Sequence, residues 1–464
     1  MDSKAVVALR RGLPSDELLW PGDLNFEKYG RDETEDLYFA PQVVVRAKCI
    51  ESVQTAVRIA GELAIPIVTR GGGTGLSGGA LPVSGGIVLS TERLNRILEI
   101  DRENFFVRVE PGVITQVLQE EVEKLGLFYP VDPASRGSCT IGGNVAEGAG
   151  GPRALKYGTT KDYVFGVDVV LANGELVHYG GKRLKDVTGF NMVQLFVGSE
   201  GTLGIIVGIT LKLLPLPAYR RTLMAPFPTL ESAAAAVPAI LQRGVIPCAL
   251  EFMEQACLKA IEDRRGEKVP HSEAAACLLI EVDGSQEETL DREMEIIGEA
   301  LLECGATDVD VAEGAAQQAK LWEIRRAAGE AVKGISSYKE EDTVVPRSKL
   351  PELVRGVHEI CDRHEIRMIC YGHAGDGNIH VNLLQESTEQ NEWNERTLRA
   401  IPEIFELTVG LGGTISGEHG IGYVQKGYLR QGLTEAAIGS MRAVKLALDP
   451  KGILNPGKIF PDPA

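Results

Sequence analysis

Between Arg70 and Ala80 the chain reads R-G-G-G-T-G-L-S-G-G-A, and its flanks confine what this loop can be. A helix-like stretch, ESVQTAVRIAGELA (Glu51 to Ala64), and a short apolar run, IPIVT, precede it; a second strand, GGIVLST, follows. The glycines therefore join two strands rather than a strand and a helix. Backbone without Cβ atoms adopts positive φ and brings its N–H groups close to an anion, which makes the loop a candidate diphosphate cradle. It lacks the G-K-[ST] ending of a nucleoside-triphosphate loop, and no helix follows to give the G-x-G-x-x-G dinucleotide geometry. Taken alone, it also fits a plain hairpin or tight turn.

Two further segments narrow the choice. From Tyr129 the chain runs YPVDPASRGSCTIGGNVAEGAGGPRALKYGTTKDYVFGVDVVLANGE. This combines a Pro-punctuated loop, a G-G-N turn at Gly142 to Asn144, glycines at 148, 150 and 151, a strand VFGVDVVLA, and a turn at Asn173-Gly174. Further on, DVTGFNMVQLFVGSEGTLGIIVGITLKLLPLP carries a small-residue turn, G-S-E-G-T-L-G, that runs into a strand. Glycine-rich turns spread this widely point to one large ligand gripped along its length. Here the sequence resembles the flavoproteins of the vanillyl-alcohol oxidase and p-cresol methylhydroxylase superfamily. The likeness rests on P-I-V-T-R-G-G-G-T-G-L-S-G-G-A, D-P-A-S, C-T-I-G-G-N-V-A, K-Y-G and V-G-S-E-G-T-L-G, in that order.

The resemblance implies FAD held at Arg70, Gly71, Gly72, Gly73, Thr74, Gly75, Leu76 and Ser77 of the first loop, and at Pro133, Ala134 and Ser135 of the second. It adds Cys139, Thr140, Gly142, Gly143, Asn144, Ala146 and Gly150, then Tyr157 and Gly158. Glu200, Gly201, Gly204 and Ile206 follow from the third turn, and Asn455 from the tail DPKGILNPGK. Relatives that bind flavin covalently often link it through a histidine in the glycine loop. Here the first histidine is His178, so non-covalent FAD is expected.

At 464 residues the chain is too long for one ordinary core. Residues 1 to about 40 read as a short helix and an acidic lead-in, and Pro41 to about Pro217 as mixed α/β in two blocks, one around the Arg70 loop and one from Asp132. Beyond Pro217, RTLMAPF, TLESAAAAVPAILQRG and VIPCALEFM read as strand, helix, strand; AAACLLIEVDG, a helix from Glu287 to Gly305, and ATDVDVA repeat the pattern. Two such units suggest a ferredoxin-like antiparallel sheet with helices on one face. The expected fold is α+β: a two-subdomain FAD-binding domain (1–217), a ferredoxin-like cap (218–412), and a C-terminal segment (413–464) that, by the resemblance, returns to the FAD domain.

Net charge is −17, which disfavours nucleic acid or an anionic membrane surface as main partner. No apolar stretch approaches the roughly 20 residues of a spanning helix, and the first twenty residues lack a secretory pattern. Eight scattered cysteines without a C-x-x-C pair read as reduced thiols of a cytoplasmic protein, any membrane attachment being through a partner. They offer no iron–sulfur ligand set. Electrons would leave through an iron–sulfur subunit, an electron-transfer flavoprotein or a quinone, with homodimer and hetero-oligomer both open.

Three of the seven histidines lie in two compact motifs. YGHAGDGNIHVNLL reads as a hairpin in which His380 and Asn382 share one strand face and a tight turn returns His373 to it. TISGEHGIG sets Glu418 beside His419 in a glycine-rich turn. Two imidazoles and a carboxylate are a common shell for a transition metal with open positions, most often zinc. Singly, each histidine also fits a structural role. G-H-x-G-D-G-N-x-H and G-E-H-G-I-G resemble signatures of the flavin-dependent D-2-hydroxyacid dehydrogenases, which include D-lactate and D-2-hydroxyglutarate dehydrogenases and the glycolate oxidase flavoprotein subunit. That resemblance implies His373, His380 and Glu418 as metal ligands, Asn382 as a substrate contact, His419 as the base, and Arg325, in LWEIRRAAGEAV, as the partner of the substrate carboxylate. On its own, that stretch also fits a solvated helix face.

The family's dicarboxylate enzymes carry a lysine in the stretch matching Tyr338 to Pro346. This chain reads YKEEDTVVP with Lys339 out of register, which favours a smaller monocarboxylate such as D-lactate or glycolate. Rival readings are a related flavoenzyme on another substrate, of the D-2-hydroxyglutarate or alkylglycerone-phosphate type, and an electron-transfer subunit without a substrate of its own.

Overall fold

The alternating runs before Pro217 resolve into two sheets of opposite character. In the computed structural model, which describes residues 3–35 and 37–462, the chain divides into two units. One comprises Met1–Gly150, Thr159–Leu216 and Glu418–Ala464; the other comprises Gly151–Gly158 and Pro217–Gly417. Asp36, the last residue of the acidic lead-in, lies outside the described residues.

The first sheet of the first unit contains β1 (Leu18–Leu19), β2 (Val43–Arg46), β3 (Ile67–Arg70) and β4 (Ile87–Ser90), in the order β1-β2-β4-β3. The last three are parallel, and β4 is buried along its length, as apolar strands covered on both faces are. The helix Ile50–Leu63 makes the crossover from β2 to β3 and buries Val53, Ala56, Val57 and Ala60 at helical spacing. Because β3 and β4 are parallel, the glycine loop between them is not a hairpin turn. The tail adds to the same sheet: the Ile67 N–H donates to the Ile453 carbonyl at 2.8 Å, and the Asn455 N–H donates to the Ile67 carbonyl at 2.8 Å.

The second sheet is antiparallel: β5 (Ile97–Asp101), β6 (Phe106–Val109), β8 (Val164–Val170), β9 (Leu176–Gly180) and β10 (Ile205–Lys212), in the order β5-β6-β10-β8-β9. A small ribbon pairs β7 (Leu127–Phe128) with β11 (Leu214–Pro215). Asn173-Gly174 turns β8 into β9, with Gly174 at φ +83°. Two sequence expectations need correction. The second block begins before Asp132, since β5 and β6 belong to its sheet. G-G-N is no turn but lies in the helix Ile141–Glu147, whose N-cap Thr140 accepts from the Gly143 N–H. Gly142 is there for space: a Cβ on it would stand 2.5 Å from the Pro111 Cβ.

The second unit is built on one antiparallel sheet of β12 (Tyr219–Phe227), β13 (Ala249–Glu254), β14 (Ala276–Gly284), β15 (Asp310–Val311), β16 (Tyr338–Val344), β17 (Arg367–His373) and β18 (Asn378–Leu384). Their order is β15-β12-β14-β13-β17-β18-β16. The first four, with the crossing helices Leu230–Gln242 and Glu287–Glu303, form the ferredoxin-like arrangement, and the β17–β18 hairpin with β16 extends it. Helices were expected on one face only. Strands β13 and β18 are instead buried at every position, so both faces are covered. The segment Gly151–Gly158 is tied to β14 of this unit: Lys156 Nζ lies 2.5 Å from Asp283 Oδ1, and the Tyr157 hydroxyl donates to Asp283 Oδ2 at 2.7 Å. Among the described residues no helix is long and apolar enough to cross a membrane, and all eight cysteines are free thiols.

Candidate active site

In the second unit the hairpin register pairs Tyr371 with His380, His373 with Asn378 and Ile369 with Asn382. Directly paired residues share a sheet face, so His373, His380, Asn378 and Asn382 stand together. The two imidazoles are buried, with ring centroids 5.4 Å apart and planes near perpendicular. His373 Nδ1 lies 2.9 Å from each carboxylate oxygen of Glu251 on β13. A carboxylate only accepts, so Glu251 fixes the proton on Nδ1 and with it the tautomer in which Nε2 is the ring's acceptor.

Glu251 is fully buried and has a second partner, Arg325 Nη2, at 2.7 Å. The guanidinium also lies over the Tyr371 ring, 5.2 Å from its centroid. Arg325 is therefore a buried cation at the end of the helix Gly314–Arg326, and not part of a solvated face. Among the described residues its Nε has no hydrogen-bond partner, so it remains a donor. Asn382 donates to the Ile369 carbonyl at 3.3 Å, while its buried Oδ1 has no hydrogen-bond partner among the described residues.

Strand β16 completes this face. Glu340 and Asp342 each place a carboxylate oxygen 3.7 Å from His380 Nδ1. Asp342 also accepts from Asn378 Nδ2 at 2.6 Å and from the Gly417 N–H at 2.7 Å. Lys339 pairs with Leu383, so it points to the opposite face, where it lies over the Trp393 ring. Sequence reading missed Glu251, Glu340, Asp342 and Tyr371 as members of this cluster. The available sign for Glu251 was an acidic residue inside an otherwise apolar strand, A-L-E-F-M.

In the first unit, the glycine motifs that are far apart in sequence stand against one another. A Cβ on Gly71 would come within 2.5 Å of Thr140 Oγ1, and one on Gly72 within 2.5 Å of the Ser138 carbonyl oxygen. Asn455 Nδ2 donates to the Gly79 carbonyl at 2.9 Å and to the Glu200 carbonyl at 2.7 Å, joining tail, first loop and third turn. The Tyr423 N–H donates to the Ser77 carbonyl at 2.7 Å, which brings in the loop that carries Glu418 and His419. In that loop His419 Nε2 lies 4.0 Å from Glu418 Oε1, and a Cβ on Gly150 would stand 2.9 Å from Glu418 Oε2.

Thr74, Gly75 and Leu76 are partly open positions of the β3–β4 loop, where Gly73 has φ +73°, and Arg70 is buried at its base. Pro133 and Ser135 open two turns, the Arg136 N–H donating to the Pro133 carbonyl and the Ser138 N–H to the Ser135 carbonyl, with Ala134 exposed between them. Cys139 is buried, Asn144 and Ala146 lie in the helix Ile141–Glu147, and Ile206 lies in β10. Gly201 has φ +67° and Gly204 makes room for Val169 of β8. Tyr157 and Gly158 belong to the second unit.

A cradle of Cβ-less backbone converging from several segments fits an extended diphosphate-bearing cofactor. Gly72→Ala should lower FAD affinity about tenfold or more, since overpacking costs roughly 1–3 kcal/mol. The ratio of flavin to protein absorbance after gel filtration measures it, and full FAD retention would refute this use of the loop.

Residues 41–180 match the model of the FAD binding domain, and residues 216–459 match that of the FAD linked oxidases, C-terminal domain. The chain belongs to the FAD-linked oxidases. It is 44% identical to glycolate oxidase subunit GlcD of Bacillus subtilis, over 93% of this chain and 92% of that protein. It is 39% identical to D-lactate dehydrogenase of Anaerostipes hadrus, over 90% and 89% of the two chains. A third relative, D-2-hydroxyglutarate dehydrogenase of Stutzerimonas stutzeri, is 33% identical over 93% and 94%. Among solved structures, p-cresol methylhydroxylase with substrate bound superposes with a TM-score of 0.82 at 19% identity, covering 99% of this chain and 96% of that one. This FAD-linked oxidase thus has the vanillyl-alcohol oxidase type of fold and is an FAD-dependent oxidoreductase.

Proposed function

We propose that this enzyme oxidises a small D-2-hydroxyacid, D-lactate or glycolate, to the 2-oxo acid. The carrying observation is the buried His373–His380 pair on one sheet face, backed by Glu251 and flanked by the Arg325 cation. The relatives named for glycolate, D-lactate and D-2-hydroxyglutarate support a 2-hydroxyacid. FAD, held without a covalent bond, would supply the two-electron acceptor. A divalent cation, zinc in the first instance, would be held by His373, His380 and Glu418 and would acidify an alcohol brought to it, as bound water falls from roughly 16 to about 7.

In this reading Arg325 pairs with the substrate carboxylate through the N–H groups that Glu251 leaves over. Asn382 Oδ1 accepts from the substrate hydroxyl, which orients its proton. His419 takes that proton on a ring nitrogen as the Cα hydrogen departs. Electrons then pass to an iron–sulfur subunit, an electron-transfer flavoprotein or a quinone.

Anaerobic bleaching of the flavin with a panel of 2-hydroxyacids tests the proposal. D-lactate and glycolate should bleach it quickly, L-lactate slowly, and D-2-hydroxyglutarate slowly too, because Lys339 faces away from the histidines. A preference for the dicarboxylate would overturn the substrate assignment, and no bleaching by any member would overturn the activity.

A further inference from the structure

Glu200 lies in the G-S-E-G-T-L-G turn with φ +50°, in the left-handed region where a glycine would cost least. A glutamate there pays backbone strain, and its side chain shows what it secures. One carboxylate oxygen accepts from the Ile421 N–H at 2.8 Å and the other from the Gly422 N–H at 2.7 Å. These are consecutive amides of the G-E-H-G-I-G loop, two and three residues beyond His419. The two oxygens are thus committed to peptide groups.

The surroundings make this clamp stiff. Glu200 is buried, and its own carbonyl is held by Asn455 Nδ2 at 2.7 Å. Gly420 and Gly422 have positive φ and leave no spare room: a Cβ on Gly420 would meet Glu147 Oε2 at 2.5 Å and Glu200 Oε1 at 3.0 Å. Burial, with the Glu200 charge close by, pushes the Glu147 carboxyl well above the usual range. Lys458, pushed down to about 8 by burial, donates to the Gly79 and Leu81 carbonyls and to Asn455 Oδ1, and fixes the far side.

The geometry points to Glu200 as a positioning residue that sets the imidazole of His419 by gripping the Ile421 and Gly422 amides of its loop. This deepens, and rests on, the assignment of His419 as the base. Charge-assisted hydrogen bonds to backbone are the strong kind, and a misplacement of about 1 Å in a reacting group costs about a hundredfold in rate.

Stopped-flow anaerobic reduction of the FAD-bound enzyme by D-lactate tests it, using Glu200→Ala, Glu200→Gln and the double variant with His419→Ala. Glu200→Ala should lower the limiting rate of flavin reduction about 10- to 100-fold, with half-saturation shifting about threefold or less. Glu200→Gln, whose single carbonyl oxygen can grip one amide, should fall between. The double variant should be no slower than His419→Ala alone, because both changes act through one group. Independent, multiplying losses would overturn the inference, as would a wild-type rate for Glu200→Ala. Loss of FAD from both Glu200 variants would also overturn it, leaving Glu200 with the cofactor-binding role that the resemblance implies. Fast bleaching by His419→Ala alone would instead remove His419 from its role as base, and this inference with it, while leaving the oxidation of the 2-hydroxyacid standing.

Discussion

His419→Ala should keep its FAD and lose about a hundred- to ten-thousandfold in the rate of substrate-driven flavin reduction, the range for a positioned general base. The imidazole sits on a loop in which Gly420 and Gly422 have φ +79° and +49° and the Ile421 and Gly422 amides are tied to Glu200, so the change should remove a proton acceptor without releasing the loop. Binding should survive, because in the proposed reading Arg325 and Asn382 would supply the contacts to the carboxylate and hydroxyl. The loss should therefore appear in the limiting rate and not in half-saturation. Substitution of His419 by Gln, which cannot take up a proton near neutrality, should behave like Ala. Normal flavin reduction in both variants would contradict the assignment.

A second large effect is expected at Glu251, which no substrate is required to touch. Its carboxylate, fully buried, pairs with both Arg325 and His373. Glu251→Ala leaves a buried guanidinium without its counter-charge, a change that costs about 3–5 kcal/mol of stability. Glu251→Gln keeps the volume and one acceptor, so it should fold, but it loosens the fixed tautomer of His373. Outer partners of ligating histidines are worth about 10- to 100-fold in metal affinity. Denaturant midpoints and metal titration of the two variants measure these effects. Wild-type stability in Glu251→Ala, or wild-type metal affinity in Glu251→Gln, would show that the ion pair does not support the site.

Glycine spacing and the strand periods carried much of this architecture in the sequence. The R-G-G-G-T-G-L-S-G-G-A loop between two β runs, the Asn173-Gly174 turn and the two strand–helix–strand units could each be read from local rules, because each rests on near neighbours in the chain. What stayed hidden depended on partners far away. Glu251 meets His373 only because β13 lies beside β17, 122 residues on. Glu340 and Asp342 became neighbours of His380 only through the pairing of β16 with β18. The G-G-N segment misled for a similar reason: its glycines admit Pro111, a contact no local rule reports. The two-histidine hairpin was legible because its turn and its alternation are both local. The grip of Glu200 on residues 221 and 222 positions later was not.

The most direct measurement counts divalent metal and flavin bleaching on one sample, by elemental analysis and anaerobic spectroscopy, before and after chelation and again after zinc is restored. About one ion per chain is expected in the active enzyme, as two imidazoles and a carboxylate with a position left open for substrate would hold. Ion and bleaching should disappear together and return together, and His380→Ala should lack both. Full-rate bleaching by D-lactate in protein stripped of metal would contradict it.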